Sequence, residues 1–274
     1  MAIIKAAEHS EWKERQRLVS LSNGMTVSYM EAGNTEGAPL VLLHGFGNSG
    51  RNWQYTFRFL EKKYHIYAID EIGAGQSSCP DRFSFPIALQ AENVIELMDI
   101  LGIKRAYLAG HSIGSYICQA IAFMIPDRII KAVLVSTFAR MNESQADIAR
   151  SAQFYRNIND NRPDENWYSE RAGYPDQEGL EYQLKDLQTL PAGYFGPTWW
   201  GMTMTDHRNF LQFIEAPVMA IWGEKDMGLP EHYRKEFMEI MPDAEVRIYE
   251  GLGHEIVSRA PEQLCKDMLE FFEE

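Results

Sequence analysis

The sequence is poor in cysteine and in long apolar runs. It has 274 residues but only three cysteines, Cys79, Cys118 and Cys265, which lie far apart and show no C-x-x-C spacing. This pattern does not suit a disulfide framework or a metal site, and it is typical of a reducing compartment. No stretch approaches the ~20 apolar residues of a membrane span, and the N-terminus turns charged before a signal peptide could form. We therefore expect a cytoplasmic protein that needs no metal and no cofactor.

Positive charge is also scarce. Lysine and arginine total 26 against 39 aspartates and glutamates, which gives a formal charge of -13. Such a chain lacks the basic surface that binds phosphate backbones, and anionic membranes would repel it. Its 45% apolar and 24% charged residues are typical of a globular protein. We therefore expect neither a nucleic acid nor a membrane as partner, and the oligomeric state stays open between monomer and homodimer.

Short apolar, β-rich runs alternate with segments of helical period, which predicts an α/β fold with a mostly parallel sheet. The Asn23-Gly24 pair predicts an antiparallel hairpin at the start, and the apolar run 40–43 predicts a strand buried on both faces. The predicted strands are 17–21, 26–31, 40–43, 66–70, 107–109, 132–135, 218–222 and 246–249. The predicted helices are 53–60, 87–101, one after residue 112 that Pro126 ends, 231–240 and one from Pro261, with a surface helix within 1–16.

The alternation stops between residues 138 and 213. This segment has no buried-strand pattern, but it is rich in aromatic residues and in polar helical stretches. So long an insertion is unlike a single loop. We interpret residues 138–213 as a helical cap, inserted after the sixth strand into a core formed by residues 1–137 and 214–274.

The sequence G-H-S-I-G at residues 110–114 fits the G-x-S-x-G pattern of a nucleophile elbow. It follows a predicted strand and precedes a predicted helix, as that motif requires. Its glycines permit the sharp turn that exposes the serine oxygen. We therefore predict Ser112 as a nucleophile.

A serine hydroxyl needs a base and a group that orients the base. Gly253-His254 follows the last predicted strand, so His254 is the candidate base. Asp226 follows the preceding predicted strand and is the candidate acid, while Glu224 lies nearer the strand end with less reach. The order serine, aspartate, histidine is that of the α/β-hydrolases.

Acyl transfer also needs hydrogen-bond donors for the oxyanion. The sequence H-G-F-G at residues 44–47 follows a buried strand, and we predict that the Phe46 N–H faces Ser112. The Ile113 N–H would be the second donor. His44 is interpreted as a loop residue that shapes this turn and is satisfied by backbone.

Taken together, the chain resembles a capped α/β-hydrolase. The resemblance is carried by residues 44–47, the stretch D-E-I-G-A-G-Q-S at 70–77, the elbow at 110–114, G-E-K-D at 223–226 and Gly253-His254. It implies a mostly parallel twisted sheet flanked by helices, with a serine esterase-like site. The cap segment matches by position and aromatic content only.

Particular residues separate this chain from some members of the family it resembles. Haloalkane dehalogenases and epoxide hydrolases use an aspartate where this chain has Ser112. Plant hydroxynitrile lyases have a lysine after the catalytic histidine, and carbon–carbon bond hydrolases usually have a tryptophan there, whereas this chain has Glu255-Ile256. No residue excludes a cofactor-free haloperoxidase.

These observations predict a carboxylesterase-type serine hydrolase acting on small or medium esters or lactones. The aromatic cap favours apolar or aromatic substrates. Candidate substrate contacts are Gly45, His111, Trp199 and Trp200, although the tryptophan pair suits cap packing equally well. The alternatives are a carbon–carbon bond hydrolase, a cofactor-free haloperoxidase, or a ligand receptor that retains the triad.

Other residues that could carry chemistry are interpreted as structural. Cys118 lies on the apolar face of the helix after the elbow, which predicts a core position. The remaining histidines are expected on the surface or in loops, and they are His9, His65, His207 and His232.

Overall fold

The computed structural model describes residues 9–80, 86–141, 144–156 and 192–274, together with residues 181, 184, 185, 188 and 190. Within this part of the chain, eight strands form one sheet in the order β1-β2-β4-β3-β5-β6-β7-β8. The strands are β1 Gln16–Ser20, β2 Thr26–Gly33, β3 Ala38–Leu43, β4 Tyr64–Asp70, β5 Ala106–His111, β6 Ile129–Val135, β7 Val218–Gly223 and β8 Glu245–Tyr249. Strand β2 is antiparallel to β1 and β4, and the remaining neighbours are parallel.

Nine helices lie in the described part of the chain. They are α1 His9–Arg15, α2 Phe57–Leu60, α3 Ile87–Ile100, α4 Ile113–Met124, α5 Gln145–Arg156, α6 Ala192–Thr203, α7 Glu231–Ile240, α8 Ile256–Arg259 and α9 Pro261–Glu273. Of these, α2 to α7 belong to connections between parallel strands. Short 3-10 turns occupy Gly50–Trp53, Pro126–Arg128 and Leu211–Phe213. No helix in the described ranges is long and apolar enough to cross a membrane.

Strand β3 shows why the central sequence is continuously apolar. Val41 and Leu43 pack into the core on one face of the sheet, together with residues of α3, α4 and α7. Leu40 and Leu42 pack into the core on the other face, with residues of α2, α8 and α9. Because strand side chains alternate between faces, a strand covered on both sides must be apolar at every position. The prediction of a doubly buried strand is confirmed.

The predicted fold class is also confirmed, and every predicted strand is present. Most strands are longer than predicted, because pairing with a neighbour also recruits flanking residues with little strand preference of their own, such as Ala38, Gly110 and Glu245. The segment predicted as one helix over 53–60 is instead the 3-10 turn Gly50–Trp53 followed by the short helix α2. Gly102 follows α3 with φ +70°, a left-handed conformation that glycine adopts without strain.

The N-terminal helix α1 is anchored to the core rather than resting freely on the surface. Trp12 is only 4% exposed, and its ring centroid lies 6.0 Å from that of Phe57. The Arg51 guanidinium lies 4.6 Å from the Trp12 ring centroid. Glu11, Lys13 and Glu14 are exposed, so α1 is the surface helix that was expected, and the buried tryptophan attaches it to the 3-10 turn and α2.

Much of the predicted cap, residues 138–213, lies outside the described residues, including 157–180. Helices α5 and α6 belong to this segment and pack against each other. Tyr194 and Phe195 of α6 are buried in a small apolar cluster with Ala74 and Leu190. The division into core and cap remains a prediction.

The parallel strands determine where functional groups can meet. Strands β3, β5, β7 and β8 all run in the same direction. Their carboxyl ends therefore reach the same edge of the sheet, where ligands bind in open α/β folds. Residues 44–47, Ser112, residues 224–226 and residues 250–255 follow these strand ends directly.

Candidate active site

Ser112 occupies a sharp turn between β5 and α4. Its φ of 54° and ψ of -117° are strained for a residue with a side chain. The turn is held by the Ser112 N–H, which donates to the Val135 carbonyl oxygen at 2.8 Å. A Cβ atom at Gly114 would lie 2.5 Å from the carbonyl oxygens of both Leu43 and His44, and one at Gly110 would collide with Gly114. Both glycines of the motif are thus required by close backbone packing.

His254 and Asp226 are in contact. The His254 Nδ1 lies 2.8 Å from Asp226 Oδ2, and the Asp226 side chain is buried. The other carboxylate oxygen, Oδ1, accepts hydrogen bonds from the N–H groups of Gly228 and Leu229, each at 2.9 Å. Burial acts to raise the pKa of Asp226, but the hydrogen bond and charge of His254 and the two backbone donors outweigh it and hold this pKa below its usual value.

This contact determines the tautomer of His254. An ionised carboxylate can only accept hydrogen bonds, so Nδ1 of His254 carries the hydrogen and Nε2 is the nitrogen that can accept a proton. Glu224, the alternative acid, is exposed and instead accepts a hydrogen bond from the Gly251 N–H at 2.9 Å. The structure therefore places Asp226, and not Glu224, against the histidine.

The backbone of His254 is held as firmly as its ring. Its carbonyl oxygen accepts from His111 Nε2 at 3.0 Å, from Ser136 Oγ at 3.1 Å and from the Ile256 N–H at 3.0 Å. Burial and the nearby His254 lower the pKa of His111 to about 3, so the His111 ring is neutral near pH 7. Nε2 carries the hydrogen that it donates to the His254 carbonyl, and Nδ1 lies 3.2 Å from Asn52 Oδ1.

The loop over residues 44–47 is anchored by a buried pair. His44 is fully buried, and its Nε2 lies 2.9 Å from Glu71 Oε2. Glu71 Oε1 also accepts from the His44 N–H at 3.0 Å, and His44 Nδ1 lies 2.8 Å from the Gly45 carbonyl oxygen. Burial acts to lower the pKa of His44, but the Glu71 charge and hydrogen bond raise it. The His44 ring has the expected backbone partners, the Gly45 carbonyl and the Glu71 N–H, and it also pairs with the Glu71 carboxylate, which the sequence did not indicate.

The two predicted oxyanion donors lie at this same sheet edge. Phe46 is in the loop that His44 and Glu71 hold, and Ile113 is the first residue of α4. Within the described part of the chain, neither backbone N–H donates to a protein acceptor. The first N–H groups of a helix lack intrahelical partners, so the Ile113 N–H is available to a ligand. The Phe46 ring packs against Tyr194, Phe195 and Trp199.

These elements enclose a cavity of about 480 Å³. Ser112 and His254 both line it, as do three of the predicted substrate contacts, Gly45, His111 and Trp199. Trp200 is not among the lining residues, since of two adjacent helical residues only one faces a given side, and its role as a substrate contact stays a prediction. The apolar part of the wall is formed by Phe46, Phe138, Met141, Trp199, Met202, Met227 and Leu229.

Comparison with known proteins agrees with this arrangement. A model of the alpha/beta hydrolase family matches residues 40–267. The chain belongs to the alpha/beta hydrolase family. It is 30% identical to an (E)-2-((N-methylformamido)methylene)succinate hydrolase of Acinetobacter baylyi, over 94% of this chain and 98% of that protein. It is 28% identical to a non-heme chloroperoxidase of Streptomyces lividans, over 92% and 98%.

A solved structure supports the fold of this alpha/beta hydrolase. The thermophilic esterase from Thermogutta terrifontis superposes with a TM-score of 0.83 at 19% identity, covering 94% of this chain and 98% of the esterase. At such low identity the likeness concerns the fold.

Sequence reasoning missed three groups at the site of this alpha/beta hydrolase. Glu71 was part of a quoted motif without a role, although it pairs with His44. Ser136 has φ 50°, and its hydroxyl holds the His254 backbone. Glu255 lines the cavity beside His254. The available signal for Glu71 and Ser136 was their position directly after a strand, and for Glu255 it was the position directly after the predicted base.

One of the loop histidines is buried. His207 is 2% exposed, and its Nδ1 donates to Gln119 Oε1 at 2.8 Å while its ring lies 3.7 Å from that of Tyr116. Burial lowers the pKa of His207 to about 3. His207 lies in a loop, as expected, but this loop position is buried rather than on the surface, because α4 offers both a hydrogen-bond acceptor and an aromatic face. Cys118, by contrast, is fully buried as predicted.

Proposed function

We propose that this alpha/beta hydrolase is a serine hydrolase that cleaves carboxylic esters or lactones through an acyl-enzyme intermediate. The observation that carries the proposal is one shared cavity. Ser112 on its strained elbow lines this cavity with His254, whose Nδ1 is committed to the buried Asp226. This combination of nucleophile, base and orienting acid is the one that acyl transfer requires.

In the proposed reaction, Ser112 Oγ attacks the carbonyl carbon of the ester while His254 Nε2 takes the hydroxyl proton. The tetrahedral oxyanion is held by the Phe46 and Ile113 N–H groups. The bond to the alkoxy oxygen then breaks, and His254 returns its proton to the leaving alcohol. A water molecule, deprotonated by His254, attacks the acyl carbon and releases the acid and the free serine.

The cavity supports a small or medium substrate with apolar parts. Its volume of about 480 Å³ falls within the range of small-molecule sites, and its wall includes several apolar and aromatic side chains. Such a site suits a small-molecule ester rather than a macromolecular partner. The three cysteines are free thiols, which supports a cytoplasmic location.

The test of this proposal is Ser112→Ala with p-nitrophenyl butyrate as substrate. We expect kcat to fall at least 10³-fold, because the nucleophile is lost while the cavity remains. Ser22→Ala, a change at an exposed serine, is the matched control. A fluorophosphonate probe should lose fluoride and label Ser112, as read by peptide mass spectrometry. Activity of Ser112→Ala near the parent level would refute the proposal.

A second candidate is peroxide-dependent chemistry at the same site. The observation that favours it is the 28% identity to a non-heme chloroperoxidase over nearly all of both chains. Adding hydrogen peroxide and a halide to the enzyme with acetate tests it directly. Halogenation that depends on Ser112 and exceeds ester hydrolysis in rate would support this candidate over the esterase.

A further inference from the structure

Glu255 stands out among the cavity residues because one of its carboxylate oxygens has no hydrogen-bond partner. This oxygen, Oε2, is shielded from solvent and accepts no hydrogen bond. The residue as a whole is only partly exposed, and it lines the cavity next to His254. A carboxyl group removed from water without a partner is destabilising, so its presence in a cavity calls for a compensating ligand.

Hydrogen bonds to two consecutive backbone carbonyls fix the position of Glu255. The preceding carbonyl, that of His254, is held by His111 and Ser136. The Glu255 carbonyl accepts from the Arg259 N–H at 3.0 Å and from Ser258 Oγ at 3.3 Å. The side chain therefore starts from a rigid backbone at the cavity wall, which is the arrangement expected of a binding group rather than of a mobile surface acid.

The charges around Glu255 do not neutralise it. The charge of Asp226 raises the pKa of Glu255, and His254 lowers it only when its ring is protonated. Lys225 lines the same cavity and is exposed to solvent, while His111 is held neutral by burial. Burial is the main cause that raises the pKa of Glu255 to about 7. The carboxyl is thus half ionised near neutral pH and able to accept a hydrogen bond from a ligand.

We propose that Glu255 is a specificity-determining residue that accepts a hydrogen bond from a hydroxyl or ammonium group of the substrate. This inference rests on the proposed function, since it names the class of ester that the site prefers. The preferred substrates are esters that carry such a donor on the acyl or the alcohol side, a few bonds from the carbonyl. The apolar wall of the cavity contacts the remainder of the molecule.

The experiment compares isosteric substrate pairs in the full-length protein and in Glu255→Leu and Glu255→Gln. The acyl-side pair is p-nitrophenyl 3-hydroxybutyrate and p-nitrophenyl 3-methylbutyrate. The alcohol-side pairs are 2-hydroxyethyl butyrate with propyl butyrate, and 2-(dimethylamino)ethyl butyrate with 3-methylbutyl butyrate. Glu250→Gln, which removes an exposed carboxylate after β8, is the matched control.

We expect the ratio of kcat/KM within at least one pair to fall about 10- to 100-fold in Glu255→Leu, as for the loss of a hydrogen bond to a charged group. Glu255→Gln, which keeps one acceptor oxygen, should show a smaller fall, and it decides the matter if the leucine variant does not fold. The ratio in Glu250→Gln should match that of the parent. Ratios that change less than threefold in every pair would overturn the proposal.

Failure of the proposed function would be visible separately. If the parent protein cleaves none of these esters, the esterase proposal fails. The binding preference is then measured by calorimetry with the same esters in Ser112→Ala, with and without Glu255→Leu. Tighter binding of the donor-bearing ester that depends on Glu255 would uphold the subsite, and equal binding would reject it.

Discussion

Replacing Asp226 by asparagine should reverse the tautomer of His254 while leaving the fold intact. The asparagine Oδ1 can retain the hydrogen bonds from Gly228 and Leu229, which lie 2.9 Å from the present Oδ1. Its NH₂ group then faces His254 Nδ1 at the 2.8 Å now spanned by the carboxylate. Two donors cannot share a hydrogen bond, so Nδ1 must become the acceptor and the hydrogen must move to Nε2.

A histidine in that tautomer cannot take the Ser112 proton. We expect kcat on p-nitrophenyl butyrate to fall about 10⁴-fold, equivalent to ~5.4 kcal/mol of transition-state stabilisation. Thermal unfolding should change little, because both backbone hydrogen bonds remain. Glu224→Gln, at the exposed neighbouring acid, should retain the parent kcat. A kcat for Asp226→Asn within tenfold of the parent would show that the tautomer argument is wrong.

Two further predictions concern stability. In Gly114→Ala the new methyl group would lie 2.5 Å from two carbonyl oxygens. The free energy of unfolding in urea should therefore fall by about 1–3 kcal/mol, and kcat should fall as well because Ile113 shifts. Unchanged stability would contradict the packing argument. His207 has a pKa of about 3 when folded and of about 6.5 when unfolded, so the unfolded state binds more protons and stability is lost as pH falls from about 6.5 towards 3. From pH 7 to pH 5 this loss is about 2 kcal/mol, and His207→Gln should remove it from the pH dependence of urea unfolding; an unaltered pH dependence would refute the assignment.

The fold could be predicted from the sequence because its signals are local. Strand β3 is apolar at consecutive positions because both faces are covered, and α7 matched its predicted bounds because its apolar residues recur at helical spacing. The elbow at Ser112 was visible for the same reason. Gly110 is required because its Cα approaches the backbone of Gly114, and Gly114 is required because its Cα approaches the backbone at the end of β3.

The supporting contacts of the site could not be predicted in the same way. His44 and Glu71 are 27 residues apart, and only the parallel pairing of β3 with β4 brings them together. His207 is buried against Gln119, 88 residues earlier, through the placement of a segment with no periodic pattern. Such pairs depend on tertiary approach, which neither motif nor periodicity encodes.

The hydrogen bonds to the His254 carbonyl oxygen tie the loop after β8 to residues at the ends of other strands. His111 ends β5 and Ser136 follows β6. The position of the imidazole after β8 therefore depends on hydrogen bonds from two strands that lie on the far side of β7. If residues 250–255 were transplanted into another protein of this family, the histidine would be present, but the hydrogen bonds that orient it would be missing. Engineers who graft this loop need to move the donors at 111 and 136 with it.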